Sequence, residues 1–225
     1  MVCGSSAQVQ QDPDSVVPTA PSAGKQDATS ATSLDRCRLR IFHINDVYTL
    51  DHLPILRSCI DARSEGVNVL TTLGGDFLAP SLLSSIDHGR GMIAAMNAIP
   101  IHAVCFGNHE CDVPFGSLVH RINEFQGTWL NSNMLSMNEE PDVKEKLVEH
   151  HLIELDGGRS VVLTGFLLGG ARFSTLYRKG AFGGHATKIK DILETVDEVV
   201  SKVEKIYPEA DCVIPLTHQD MPDDI

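Results

Sequence analysis

Clustered positive charge, paired cysteines and long apolar runs are what this 225-residue chain lacks. Eighteen Lys and Arg stand against thirty Asp and Glu, a formal net charge of −12. That balance argues against a nucleic-acid or anionic-membrane partner, since both reward clustered cations. The six cysteines, at positions 3, 37, 59, 105, 111 and 212, include no C-x-x-C pair. Their spacing fits neither a zinc knuckle nor a disulfide-dense secreted scaffold. Cys105 and Cys212 fall in apolar strand-like runs and are expected as small buried hydrophobes, while Cys111 is a candidate reactive thiol. No apolar run reaches membrane-spanning length, no basic-then-apolar leader opens the chain, and no N-x-[ST] site occurs. The expectation is a reduced, soluble, cytoplasmic protein without a membrane partner.

What is present is enough apolar sequence, 42%, to bury one α/β core, in a chain too short for two full-sized domains. Residues 1–36 read as a disordered tail, rich in Ser, Ala, Gln, Pro, Asp and Thr with no apolar period. Order is expected over 37–225, where short apolar runs alternate with helical patterns. Strands are predicted at Arg38–Ile44, Asn68–Gly75, Ala103–Phe106 and Thr128–Asn133. Helices are predicted at Leu53–Glu65, through Ser81–Ile99 as one long region, and at Val113–Phe125 with Pro114 in the first turn. Asp156-Gly157-Gly158 joins two further strands as a hairpin. Ile189, Ile192, Val196, Val199, Val203 and Ile206 then mark one apolar helix face, with Thr187 as its N-cap and Pro208 as its stop. A last strand, from Asp211 to Leu216, leads into Thr217-His218. The alternation predicts a mostly parallel α/β sheet with an antiparallel part.

Four strand ends carry polar residues that packing does not explain. They place Asp46 after the first strand, Asp76 after the second, Asn108 and His109 after the third, and His218 after the last. In open α/β sheets the carboxyl ends of parallel strands converge on one crevice, so these residues can meet. Two aspartates, an amide oxygen and an imidazole are a mainly hard donor set, suited to Mn²⁺, Mg²⁺, Fe or Zn²⁺. Two such ions roughly 3.5–4 Å apart can clamp an in-line phosphoryl displacement and generate hydroxide near neutral pH. An unligated His109, oriented by Asp112, could stabilise the transferring group or protonate a leaving oxygen. Taken singly, Asp46 reads as a turn or cap, Gly74-Gly75-Asp76 as an ordinary turn, and His218 as a cap or a ligand equally. Gly107-Asn108-His109-Glu110 with Asp112 is the distinctive block.

With "FHINDVY", "LGGDFLAPS", "MNAIPIHAVCFGNHECD", "LNSNM" and "LTHQDMPDD" in this order, the chain resembles the calcineurin-like metallophosphoesterases, 5′-nucleotidase-like branch, from about Arg38 to Ile225. The resemblance implies a two-sheet α/β/β/α sandwich. It implies two divalent metal ions: Asp46 on one, Asp76 bridging both, Asn108 and His218 on the other. His109 and Asp112 are then the catalytic dyad, and the activity is hydrolysis of a small phosphomonoester, such as a nucleotide, by metal-activated water.

Two departures matter. The family's first block reads D-x-H, whereas here it is Asp46-Val47-Tyr48, which makes Tyr48 a weak ligand, a hydrogen bonder behind the ligands, or a bystander. The family's G-H-x-H block has no counterpart after His218, and Gly183-Gly184-His185 lacks the second histidine. His185 therefore reads as part of the cap region of the long helix, and the domain as incomplete at its carboxyl end. These departures keep open a second reading, a catalytically weak scaffold or fragment that binds a metal or a partner.

Overall fold

The computed structural model describes residues 37–220. The tail expected over 1–36 and the end of the last motif, 221–225, lie outside the described residues.

The central apolar runs become strands here because both of their faces find cover. Strands β1 (Leu39–Ile44), β2 (Asn68–Leu73), β3 (Ala103–Cys105), β4 (Thr128–Leu130) and β5 (Leu147–Val148) form a parallel sheet in that order. Parallel neighbours need long crossovers. These are supplied by helices α1 (Leu53–Arg63), α2 (Leu82–Asp87), α3 (Arg90–Ala98) and α4 (Phe115–Glu124), and by the single turn α5 (Leu135–Asn138) before β5. Ile60, Ile93, Met96, Leu118, Ile122 and Phe125 pack with Leu73, Val104 and Trp129 to make the core on one side of this sheet.

The second sheet begins as the expected hairpin. Strands β6 (His150–Leu155) and β7 (Arg159–Leu167) pair antiparallel around Asp156–Gly158, and β8 (Cys212–His218) adds parallel to β7. Side chains of β7 alternate between two cores, as the period of a strand requires. Val161 and Leu163 pack with Leu70, Ala103, Cys105 and Leu130 of the first sheet. Val162 and Phe166 pack with Ile192, Val199 and Val203 of the last helix, α6 (Ile192–Ile206). The layers run helix, sheet, sheet, helix, which is the α/β/β/α sandwich.

Four local expectations are corrected. The region Ser81–Ile99 is two helices, because His88 (φ 53°) and Gly89 (φ 81°) are both left-handed. The Asp87 carboxylate fixes that break by accepting from Gly89 N–H at 2.9 Å and Gly91 N–H at 2.6 Å. The cap of α6 is Asp191, not Thr187; its side chain accepts from Leu193 N–H at 2.9 Å and Glu194 N–H at 3.4 Å. Ile189 therefore precedes the helix. The fourth strand stops at Leu130, and Asn133 instead ties the sheets together, donating to the carbonyls of Leu167 and Lys190 and accepting from Leu167 N–H. Cys212 is exposed rather than buried, since it opens β8 at the edge of the second sheet.

Candidate active site

The carboxyl ends of β1, β2, β3 and β8 deliver the predicted polar residues to one cleft. Asp46, Asp76, Asn108, His109 and His218 line it together with His43, Asn45, Tyr48 and Asp220, and its volume is about 540 Å³. One donor atom from each of Asp46, Asp76 and His218 lies within 4.8 Å of the others. Asn108 joins this group, with its Oδ1 3.2 Å from His218 Nε2.

The local backbone is built for close approach. Asp46 and Asp76 both take φ 54°, the left-handed region that a short polar side chain tolerates better than most. The turns after β2 and β3 then touch. A Cβ at Gly75 would lie 2.4 Å from the Gly107 nitrogen, and a Cβ at Gly107 would lie 2.1 Å from Asp76 Oδ1. Only glycine permits this contact. The glycines of "GGD" and "GNHE" are therefore two sides of one junction.

Glu110 clamps that junction, and this is a residue whose role the sequence reading missed. It is fully buried. Its Oε2 accepts from Asp76 N–H at 2.9 Å and Gly107 N–H at 2.6 Å, and its Oε1 from Phe77 N–H at 2.8 Å and Leu78 N–H at 3.1 Å. Burial and the nearby charge of Asp76 push its carboxyl above the usual range, while the backbone donors pull it down. Every partner around it donates, so the geometry serves the carboxylate. The signal in sequence was a carboxylate inside an otherwise glycine- and amide-rich turn.

Charge is concentrated in the cleft. Burial works against the ionised form of Asp76, but His218 and the His109 N–H, donating at 2.8 Å, hold it below the usual carboxylate range. Burial likewise opposes charge on His218, yet Asp76 Oδ2 at 3.3 Å lifts its pKa to about 9. The ring is oriented by Nδ1, which donates to the Gly74 carbonyl at 2.6 Å and so aims Nε2 at Asp76 and Asn108. His109 Nδ1 sits 2.6 Å from Asp112 Oδ2. Burial again opposes charge, but this bond and the surrounding carboxylates outweigh it and raise the imidazole above its ordinary value. Arg178 Nη2 donates to the carbonyls of Cys111 and Asp112 at 2.8 and 3.3 Å, pinning the end of the Asn108–Asp112 turn.

Tyr48 hydrogen-bonds to the carboxylates directly: its hydroxyl donates to Asp46 Oδ1 at 2.8 Å and to Asp76 Oδ2 at 3.2 Å. Burial and these two carboxylates hold the phenol far above its ordinary pKa. Its ring stands edge-on to His109, with centroids 6.4 Å apart. The residues present fit divalent cations. Carboxylate, amide and imidazole donors converge, and no Lys or Arg is among the residues lining the cleft to neutralise them.

The remaining polar candidates lie elsewhere. Cys111 is buried, and burial pushes its thiol up to about 11, against a reactive role. His185 is buried between Ser136 at 3.0 Å and Glu140 at 2.8 Å in the turn segment Ala181–Lys188, ahead of α6 and away from the cleft. His43, which lines the cleft, is hydrogen-bonded through Nδ1 to Thr72 Oγ1 at 2.9 Å. Among the described residues no helix is long and apolar enough to cross a membrane.

No family model and no curated protein matches this sequence. Solved structures do. A 5′-nucleotidase precursor from Thermus thermophilus matches with TM-score 0.65 and 20% identity, over 82% of this chain and 38% of that one. The NAD nucleotidase of Haemophilus influenzae matches with TM-score 0.66 and 18% identity, over 82% and 39%. The calcineurin-like phosphoesterase YfkN of Bacillus subtilis matches with TM-score 0.59 and 19% identity, over 80% and 62%. The chain thus spans under two fifths of the first two proteins. At such identities the likeness is one of architecture: this chain has the fold that these 5′-nucleotidase and calcineurin-like phosphoesterase structures share.

Proposed function

We propose that this chain is a metal-dependent phosphoesterase acting on small phosphomonoesters. The observation that carries the reading is the convergence of Asp46, Asp76 and His218 within 4.8 Å, beside Asn108 and the His109–Asp112 pair. The nucleotidases and the phosphoesterase among the structural neighbours support the same reaction class.

In this reading Asp46, Asp76, Asn108 and His218 would hold the divalent cations. Divalent cations held there would supply Lewis acidity toward a phosphoryl oxygen and would lower the pKa of water. The protein's own groups do the rest. The His109 N–H fixes Asp76 Oδ1, and the Gly74 carbonyl fixes the ring of His218 with Nε2 turned inward. Asp112 accepts from His109 Nδ1–H, leaving Nε2 of that ring to give a proton to the departing alkoxide. Tyr48 keeps its proton and serves the two carboxylates as a hydrogen-bond donor rather than as a ligand.

The test is hydrolysis of 4-nitrophenyl phosphate by the full chain with and without Mn²⁺, beside Asp76→Asn and His109→Gln. Turnover should require Mn²⁺, vanish in Asp76→Asn, and fall in kcat by about 10²–10⁴-fold in His109→Gln, the usual worth of a positioned acid. Folded protein that binds Mn²⁺ but hydrolyses nothing would overturn the proposal in favour of a metal-binding scaffold.

A further inference from the structure

A second cavity, of about 390 Å³, shares Tyr48 as a lining residue with the cleft. Leu50, Leu78, Pro80, Leu82, Leu83 and Met92 line it, and Tyr48 is a wall of both spaces. We propose that it holds the alcohol part of the substrate, an aryl or alkyl group without a second anionic charge, while the phosphate occupies the cleft. This deepens the phosphoesterase reading and rests on it for the role of the phosphate.

Three observations carry the assignment. The first is rigid adjacency. Asp46 and Asp76 face the cleft and Leu50 and Leu78 the cavity, and Asp46 with Leu50, like Asp76 with Leu78, shares one short stretch of chain. Glu110 holds the N–H groups of Asp76, Phe77 and Leu78 at once, so the two spaces keep a fixed relation. Second, Tyr48, Ser81, Ser84 and Asp87, four of the polar residues around the cavity, already have partners. Ser81 and Ser84 hydrogen-bond each other in the cap of α2, and the Asp87 carboxylate is spent on Gly89 and Gly91 N–H. Apart from Thr49 and Asp51, what remains is apolar, and Leu82 is 83% exposed, with Leu83 and Leu50 at 38% and 37%. A largely apolar hollow of this size suits a small organic group. Third, charge selects. Asp51 and Asp87 are among its lining residues and no Lys or Arg is, so a second phosphate or carboxylate is repelled. The cleft itself has Leu168 as its one aliphatic lining residue among the described residues.

The test compares 1-naphthyl phosphate with glycerol 2-phosphate, using the full chain with Mn²⁺, as wild type, Leu82→Gln and Leu83→Gln. Leu82 is exposed, so its replacement leaves the core intact. Naphthyl phosphate should show the lower KM. Each variant should raise that KM by about tenfold, the usual worth of one lost apolar contact, and raise it more than the KM of the glycerol ester. A second readout is independent of turnover: in ¹³C-methyl NMR, 1-naphthyl phosphate should shift the methyls of Leu82, Leu83 and Met92, and Leu82→Gln should weaken the effect. Methyl shifts without hydrolysis of either ester would uphold the cavity while the phosphoesterase reading falls. Hydrolysis of both esters with equal KM, unchanged by the variants and without methyl shifts, would overturn the cavity assignment and leave the phosphoesterase reading standing. Methyl shifts that follow protein concentration and ignore the ligand would also overturn it, marking the face as a contact between copies.

Discussion

Replacing Glu110 tests whether the site is held together by one buried carboxylate. Glu110→Ala takes the acceptor away from four backbone N–H groups, those of Asp76, Phe77, Leu78 and Gly107. A buried donor left unpaired costs about 1–3 kcal/mol, so four put the loss at about 4 kcal/mol even at the low end. Water entering the vacated space offsets part of any larger figure, and about 4–6 kcal/mol is the working value. That is a large share of the ~5–15 kcal/mol that holds an ordinary domain together. With an m-value of about 2 kcal/mol/M, the urea midpoint should fall by about 2–3 M at unchanged m. Glu110→Gln is the gentler variant. Its amide oxygen still serves two N–H groups, but its NH₂ meets the other two donor to donor, which should cost about half as much. A Glu110→Ala midpoint within ~0.5 M of wild type would refute the clamp, since that shift is only about 1 kcal/mol.

Three further outcomes follow from the same structure. Gly75→Ala should abolish soluble expression or cost several-fold more stability than Gly116→Ala, because a Cβ at Gly75 meets the Gly107 backbone at 2.4 Å while one at Gly116 meets nothing within 4 Å; comparable thermal midpoints would contradict this. Asp191→Ala should lower stability by about 1 kcal/mol through loss of the α6 cap, with Thr187→Ala near neutral, read by urea denaturation. His102 accepts the Thr71 N–H on Nδ1 at 2.9 Å, and burial lowers its pKa. The unfolded chain therefore binds more protons just below the ordinary histidine pKa, and stability falls as pH drops through about 6.5. The stability gap between wild type and His102→Gln should accordingly narrow from pH 7 to pH 5; a gap that widens would reverse the assignment.

Much of the site was legible because parallel strands read as uninterrupted apolar runs, and a polar residue at the end of such a run is conspicuous. That is how Asp46, Asp76, Asn108 and His218 could be named before their convergence was visible. Glu110 was not legible in the same way: its partners at Asp76–Leu78 are 32–34 residues away, and its work is on backbone groups that sequence does not display. The break at His88-Gly89 was hidden by an apolar spacing that runs on through both α2 and α3. The start of α6 went to Thr187 because Thr187 and Asp191 are both competent caps, and only packing against β7 decides between them. Cys212 looked buried because β8 is apolar, yet edge position rather than composition sets exposure at a strand's first residue.

The most direct test of the central claim is Mn²⁺ binding by the full chain, followed by titration calorimetry in wild type and Asp76→Asn, with His185→Ala as a control outside the cleft. Saturable binding is expected in wild type and His185→Ala, with its loss in Asp76→Asn. Equal binding in wild type and Asp76→Asn would place the cation elsewhere and refute the site.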